Sequence, residues 1–241
     1  MDQTLSFADF WARKDHEGVL LLDRLFTYRL AVLFAYPAYK LGATPNQVTI
    51  AACSFGCLSG TLAFFLNTDS ADLSISILFV LAQVAYVLDC ADGQLARCTN
   101  RTSPFGAFLD HGLDILSFTV VFGGFFAYLY RYFVASGNQQ FAELALLLGF
   151  IFLLAHASRF FAWETFNALL IRESLEEKGR NSSDLTIVKS LVDHQFSLFA
   201  MLIFLLSPTF SLLIFSAQSV LALMAYFRYF LRAHRLYHHQ D

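Results

Sequence analysis

Apolar residues in this chain fall in long runs, each bounded by a short polar stretch. About 20 helical residues cross the hydrocarbon core of a bilayer. Six runs reach that scale, at 46–67, 73–98, 104–133, 140–166, 191–207 and 210–233. The last two are parted only by Ser207-Pro208-Thr209, which reads as a tight turn because proline disfavours helix in the residue before it. Ahead of the first run, residues 18–41 are apolar but broken by Asp23, Arg24, Arg29 and Pro37. Those charges recur at helical spacing on one side. They predict an amphipathic helix lying in the membrane interface rather than a seventh crossing. The expected fold class is therefore an all-α integral membrane protein of six transmembrane helices, preceded by an interfacial amphipathic helix. The expected divisions are a cytoplasmic N-terminus with that helix over 1–45, one membrane domain over 46–233, and a cytoplasmic tail over 234–241.

Composition agrees with a membrane bundle rather than a water-soluble core. Of 241 residues, 57% are apolar and only 15% charged, where a soluble domain carries about a quarter charged residues. The mean hydropathy is +0.54. Phenylalanine is abundant, at 28 residues against 10 Tyr and 2 Trp, which suits side chains facing lipid. The polar N-terminus MDQTLSFADFWARKDHEG has no apolar core of a signal peptide, so no cleaved leader is expected. A net charge of −3 offers nothing to nucleic acid. The four cysteines form no CxxC pair and no zinc spacing, and read as small packing residues.

Charge placement orients the bundle. With the N-terminus in the cytoplasm, Arg131 is the one basic residue of 16 that falls outside, and the first outer loop, NTDSAD, is acidic. That is the positive-inside asymmetry, with both termini cytoplasmic. The membrane is the cell (inner) membrane of a prokaryote or an endoplasmic reticulum-type membrane of a eukaryote.

Chemistry concentrates in LDCADGQLARCTNRTSPFGAFLDHGLD, residues 88–114. Asp89, Asp92, Gly93, Ala96 and Arg97 share one stripe of about 140° on a helix. After a short polar loop, Pro104 suits a helix start, and Gly106, Asp110 and Asp114 repeat every four residues on the next helix. Two antiparallel helices joined by this loop can turn both stripes toward each other. Four carboxylates then meet near the cytoplasmic surface. Burying one in a bilayer costs about 3 kcal/mol or more, and four would also repel one another. A hard divalent cation resolves this, since Mg²⁺ or Mn²⁺ favours several oxygen ligands, and the metal would bind a pyrophosphate. Gly93 and Ala96 leave room for a nucleotide, and Arg97 can grip a phosphate.

The spacing Asp89-x2-Asp92-Gly93-x2-Ala96-Arg97-x8-Gly106-x3-Asp110-x3-Asp114 resembles the signature of the CDP-alcohol phosphotransferases at every fixed position. Thr44-Pro45-Asn46-Gln47-Val48-Thr49 resembles the TPNxxT element that opens the first span in many members. The resemblance implies a homodimer of six-helix protomers with a cytosol-facing site. It implies Asp89, Asp92, Asp110 and Asp114 as ligands of Mg²⁺ or Mn²⁺, and Asp114 as the base that deprotonates the acceptor alcohol. It further implies Gly93, Ala96, Arg97 and Gly106 around the donor nucleotide and phosphate, with Asn46 and Thr49 facing the donor. Release of CMP would accompany transfer from a CDP-activated lipid or a CDP-amino alcohol. His111 follows the third aspartate as in the choline/ethanolamine phosphotransferase branch, where that histidine is a second candidate base. On a helical wheel it sits about 60° beyond Asp114. His156, Arg159 and Glu164 in the fourth run could reach an acceptor pocket. Two other classes compete: the Mg²⁺-dependent membrane prenyltransferases, which have a second Asp-rich motif, and a cation channel or transporter, which would carry acidic residues deeper in several spans.

Overall fold

A computed structural model describes residues 5–14, 23–172 and 194–238, and in these every regular element is helical. A short helix α1 (Phe7–Ala12) is capped by Ser6, whose hydroxyl and backbone trade hydrogen bonds with Asp9. A π-helical turn (Asp23–Thr27) runs into α2 (Tyr28–Lys40), and α3 (Pro45–Leu62), α4 (Ala71–Cys98) and α5 (Pro104–Ala135) follow. The bundle is completed by α6 (Gln139–Arg172), a ten-residue α7 (His194–Ile203) and α8 (Pro208–His238).

Among the described residues, four helices are long and apolar enough to cross a membrane: Ala71–Cys98, Pro104–Ala135, Gln139–Ala162 and Pro208–His234. The first expected crossing forms α3, but its 18 residues are rich in Gly, Ser, Thr and Cys and fall below those four in apolarity. The fifth yields the ten residues of α7, and 191–193 lie outside the described residues. Pro208 opens α8, so the turn at Ser207-Pro208-Thr209 stands where expected.

The segment before α3 departs from the expected one-sided charge pattern. Residues 18–22 are outside the described part, and Asp23 is not on a solvated face: it is 6% exposed and accepts a hydrogen bond from the Tyr86 hydroxyl at 2.9 Å. Ala31, Val32 and Ala35 are buried toward α4, while Leu30, Leu33 and Phe34 face outward. Gly42 ends α2 with φ of +73°, a conformation glycine adopts without Cβ strain. Thr44 then caps α3 in a capping box with Gln47.

Helix α3 packs against both α4 and α5. Its contact face is Gly56, Ser59 and Gly60, the spacing that lets membrane helices approach backbone to backbone. A methyl group on Gly60 would overlap the Val120 carbonyl, and one on Gly124 would overlap the backbone of Gly60. Ser59 donates to the Leu78 carbonyl of α4 at 2.8 Å. Farther along, phenylalanine fills the core. Phe122, Phe125, Phe126, Phe152 and Phe215 are buried and meet edge-on or tilted at 5.0–6.0 Å between ring centres. Only part of the phenylalanine complement, such as Phe65, Phe108, Phe150 and Phe161, faces outward. Arg131 is consumed internally, donating to the carbonyls of Ala63, Phe64 and Leu66 at 2.8–3.1 Å, and so ties α5 to the end of α3.

Gly60→Ala is expected to destabilise the bundle by about 1–3 kcal/mol, because the obstacle is backbone rather than a movable side chain. Gly112→Ala, where a Cβ meets nothing within 4 Å, should be neutral or slightly stabilising. Thermal unfolding in detergent distinguishes the two.

Candidate active site

The last third of α4 and the first three turns of α5 form the site. Three features set their register. Asn100 adopts φ of +55°, the Arg101 amide bonds back to the Ala96 carbonyl at 2.9 Å, and α4 stops. Ser103 then caps α5, accepting from the Gly106 amide at 3.0 Å, with Pro104 in the first helical position. Five residues, 99–103, make the reversal.

The two stripes face each other. Carboxylate oxygens of Asp89, Asp92 and Asp110 all lie within 4.8 Å of one another. Asp114 lines the same cavity as Asp89 and continues the row one turn deeper. Like charges at such a separation repel by about 3 kcal/mol per pair at an effective dielectric constant of about 20. Asp92 is 4% exposed, and its Oδ2 has no hydrogen-bond partner among the described residues. A buried, unpaired carboxylate oxygen in an all-oxygen cluster fits a hard divalent cation.

Arg97 folds back along its own helix, with Nη1 3.0 Å from the place a Cβ on Gly93 would occupy. Its Nε and Nη2 are buried and have no hydrogen-bond partner among the described residues. Such donors beside a cation site suit an anion. Gly93 and Ala96 are half-buried on the same helix. From α3, the Asn46 side-chain oxygen lies 3.3 Å from a Cβ built on Gly106. Thr49 is buried and donates to the Pro45 carbonyl at 3.1 Å. The N-terminus of α3 therefore adjoins the start of α5, with Gly106 at the tight point of contact.

His111 stands apart from this group. Its Nδ1 is 2.6 Å from the Ala107 carbonyl and its ring is 6.0 Å from Phe160. It is close enough to Asp110 to feel its charge, but it does not belong to the carboxylate trio or border the adjoining cavity.

That cavity, about 290 Å³, opens beside Asp89 and Asp114. Its wall takes Thr49 and Cys53 from α3, Tyr86 from α4, Ser117 and Thr119 from α5, His156 and Arg159 from α6, and His194 from α7. His156 is 3% exposed, with Nδ1 3.0 Å from the Phe152 carbonyl. Glu164 lies outside the described side chains. Sequence reasoning missed Tyr86 and His194. Tyr86 stands three residues before Asp89, on the same stripe, and His194 is an ionisable group at the start of an apolar run. Both signals were there to be read.

The chain belongs to the CDP-alcohol phosphatidyltransferase family, whose profile matches residues 42–223, about three quarters of its length. It is similar to the phosphatidylinositol phosphate synthase of Streptomyces avermitilis, 36% identical over 103 residues that make up 42% of this chain and 39% of that protein. It is also similar to the archaetidylinositol phosphate synthase of Pyrococcus horikoshii, 39% identical over 85 residues, 35% of this chain and 42% of that one. The matched stretch thus spans about two fifths of each of these relatives. The fold is shared with the crystal structure of Mycobacterium tuberculosis phosphatidylinositol phosphate synthase with CDP-DAG bound. That likeness has a TM-score of 0.58 and 18% identity, covering 84% of this chain and 92% of that one. None of these three is a choline or ethanolamine phosphotransferase.

Asp92→Ala is expected to weaken Mn²⁺ binding by more than about 100-fold, whereas His111→Ala should leave it unchanged. Titration of the purified protein followed by the Mn²⁺ electron paramagnetic resonance signal checks both.

Proposed function

We propose that this protein is a membrane phospholipid-synthesis enzyme that transfers the phosphatidyl group of CDP-diacylglycerol to a hydroxyl of an inositol phosphate, with release of CMP. One observation carries the reading: a crowded carboxylate cluster stands next to unsatisfied Arg97 donors and opens on an adjoining cavity with polar groups on its wall. The cluster and Arg97 suit a pyrophosphate, and the cavity suits a second, hydroxylated substrate. The names of the three relatives, all inositol phosphate synthases, favour this acceptor, and the one solved with CDP-DAG favours this donor.

Asp89, Asp92, Asp110 and Asp114 would hold Mg²⁺ or Mn²⁺. When bound, the metal offsets the negative charge of the pyrophosphate and of the departing CMP. Arg97 donates its unpaired N–H groups to donor phosphate oxygens and fixes that phosphate in place. Gly93, Ala96 and Gly106 leave the volume the nucleotide needs, and Asn46 and Thr49 border it from the end of α3. Asp89 and Asp114 both line the cavity, and Asp114, outside the close trio of Asp89, Asp92 and Asp110, is the less tightly grouped of the two. It is therefore the group to take the proton of the acceptor hydroxyl. The freed oxygen bonds to the phosphorus that carries diacylglycerol, and the bond from that phosphorus to the CMP oxygen breaks. Arg159, on the cavity wall, supplies positive charge for a phosphorylated acceptor. His111, outside the cavity, carries no proton in this scheme.

The site lies at the cytoplasmic end of the bundle. Helix α5, with 32 residues, is about 48 Å long against a hydrocarbon core of about 30 Å. Asp110 and Asp114 fall within its first 15 Å or so, close to where it leaves the lipid. In the arrangement proposed, α3 and α7 complete a six-crossing homodimeric bundle with both termini cytoplasmic. There the outward Leu30, Leu33 and Phe34 of α2 would rest in the interface.

Purified protein given CDP-diacylglycerol, inositol 1-phosphate and Mg²⁺ should release CMP, and should release none from CDP-choline with diacylglycerol. Asp89→Ala and Asp110→Ala are each expected to lower the rate by at least about 1,000-fold. Release of CMP from the amino-alcohol donor alone would reverse the assignment, and silence from both donors would end it.

A further inference from the structure

Helix α7 contributes one residue to the cavity wall, His194. Its imidazole is packed among aromatic rings. Tyr86 stacks on it at 4.6 Å between ring centres and 27° between planes, Phe118 meets it edge-on at 5.2 Å, and Phe122 lies at 5.8 Å. Its Nε2 is buried and meets no hydrogen-bond partner among the described residues. An imidazole nitrogen left without a partner in such surroundings carries a desolvation cost that a hydroxylated ligand beside it would remove.

The position of this ring is fixed from two sides. The Tyr86 hydroxyl, on the far end of the stacked ring, donates to the buried Asp23 carboxylate of the π-helical turn at 2.9 Å. The next residue, Gln195, is fully buried and shares a pair of amide hydrogen bonds with Gln83 of α4, at 3.1 and 3.2 Å. Thr27 of the same turn donates to the Gln195 oxygen at 2.9 Å. Gln83 and Tyr86 lie one turn apart on α4, and Asp23 and Thr27 lie one turn apart before α2. The hydrogen bonds at Gln195 and the stack of His194 on the anchored Tyr86 ring therefore hold the start of the short α7 at two adjacent residues. Held at both, the helix is fixed in rotation, and with it where the His194 imidazole stands.

We infer that His194 hydrogen-bonds the acceptor alcohol in the cavity and helps select it, with Tyr86 and Asp23 as positioning residues. The inference rests on the transfer reaction proposed above and adds the residue that reads the acceptor. The donor compartment at Arg97 is separate from His194, so the two substrates should respond differently to its removal.

The test uses the purified full-length chain with saturating CDP-diacylglycerol. The varied acceptor is whichever of inositol 1-phosphate, inositol, glycerol 3-phosphate and serine is used fastest. His194→Phe keeps an aromatic ring in the stack and removes both nitrogens. It should raise the acceptor KM by about 10-fold while the KM for CDP-diacylglycerol and the affinity for Mn²⁺ stay within about 2-fold of the parent. His194→Gln, which returns a polar group at similar reach, should recover most of that loss. Tyr86→Phe, which breaks the link to Asp23 but keeps the ring, should raise the acceptor KM by about 3-fold or more, and it reads the inference even where His194→Phe fails to fold. An acceptor KM that stays at the parent value in every folded variant overturns the assignment, as does a rise in donor and acceptor KM together. A wild-type chain that releases CMP from no donor overturns the proposed reaction, and this inference with it.

Discussion

Lipid gives helices little hydrophobic reason to associate, so a membrane bundle is held by close packing and by hydrogen bonds between its members. Here that constraint falls on the contact between α3 and α5, where Gly60 and Gly124 let two backbones come together and Gly56 makes room for the Ser117 side chain. Much of the geometry follows. With α3 drawn close, its N-terminal turn reaches the start of α5, and Asn46 comes to rest against Gly106. The Ser59 hydroxyl carries the same helix to the Leu78 carbonyl of α4. The acidic stripes of α4 and α5 therefore share one small-faced neighbour. Arg131 then secures the opposite end of α3 by taking three of its exposed carbonyls.

Against that packing the site sets an electrostatic conflict. Three carboxylates within 4.8 Å of one another, with a fourth adjoining, work against the closeness of the helices that carry them. In the arrangement proposed, the conflict sits where the long helices run past the hydrocarbon, within reach of a cation from water. Arg97 gives the group its one nearby positive charge on these stripes, yet its Nε and Nη2 donate to nothing among the described residues. An arrangement short of positive charge and with donors unspent suits the metal and the phosphate proposed for it.

How much of this could be read from the letters depends on how far apart the partners lie in the chain. The acidic stripes were legible because each is set by the 3.6-residue turn of a single helix, and the turn at Asn100 to Pro104 because local chemistry makes it. The starts of α3 and α5 at Thr44 and Ser103 follow from capping for the same reason. What stayed hidden rests on long separations. Asp23 and Tyr86 are 63 residues apart, Gln83 and Gln195 are 112, and Thr27 and Gln195 are 168. From sequence alone Asp23 reads as a surface charge, because nothing nearby announces the tyrosine that receives it. His111 is a different case. Its place at the edge of the stripe leaves two directions open, and the Ala107 carbonyl turns its Nδ1 back toward its own helix.

The five-residue reversal between α4 and α5 acts as a spacer with a fixed count. One residue more or fewer would disturb the Asn100 reversal and the Ser103 cap that together set how the second stripe meets the first. Replacements that keep the left-handed turn at Asn100 and the cap at Ser103 leave that register alone. In descendants of this chain, drift in the loop should therefore be paid in spelling and never in length, while the acidic positions keep their spacing across it. A stretch with no catalytic group of its own would then be as rigid in count as the site it separates.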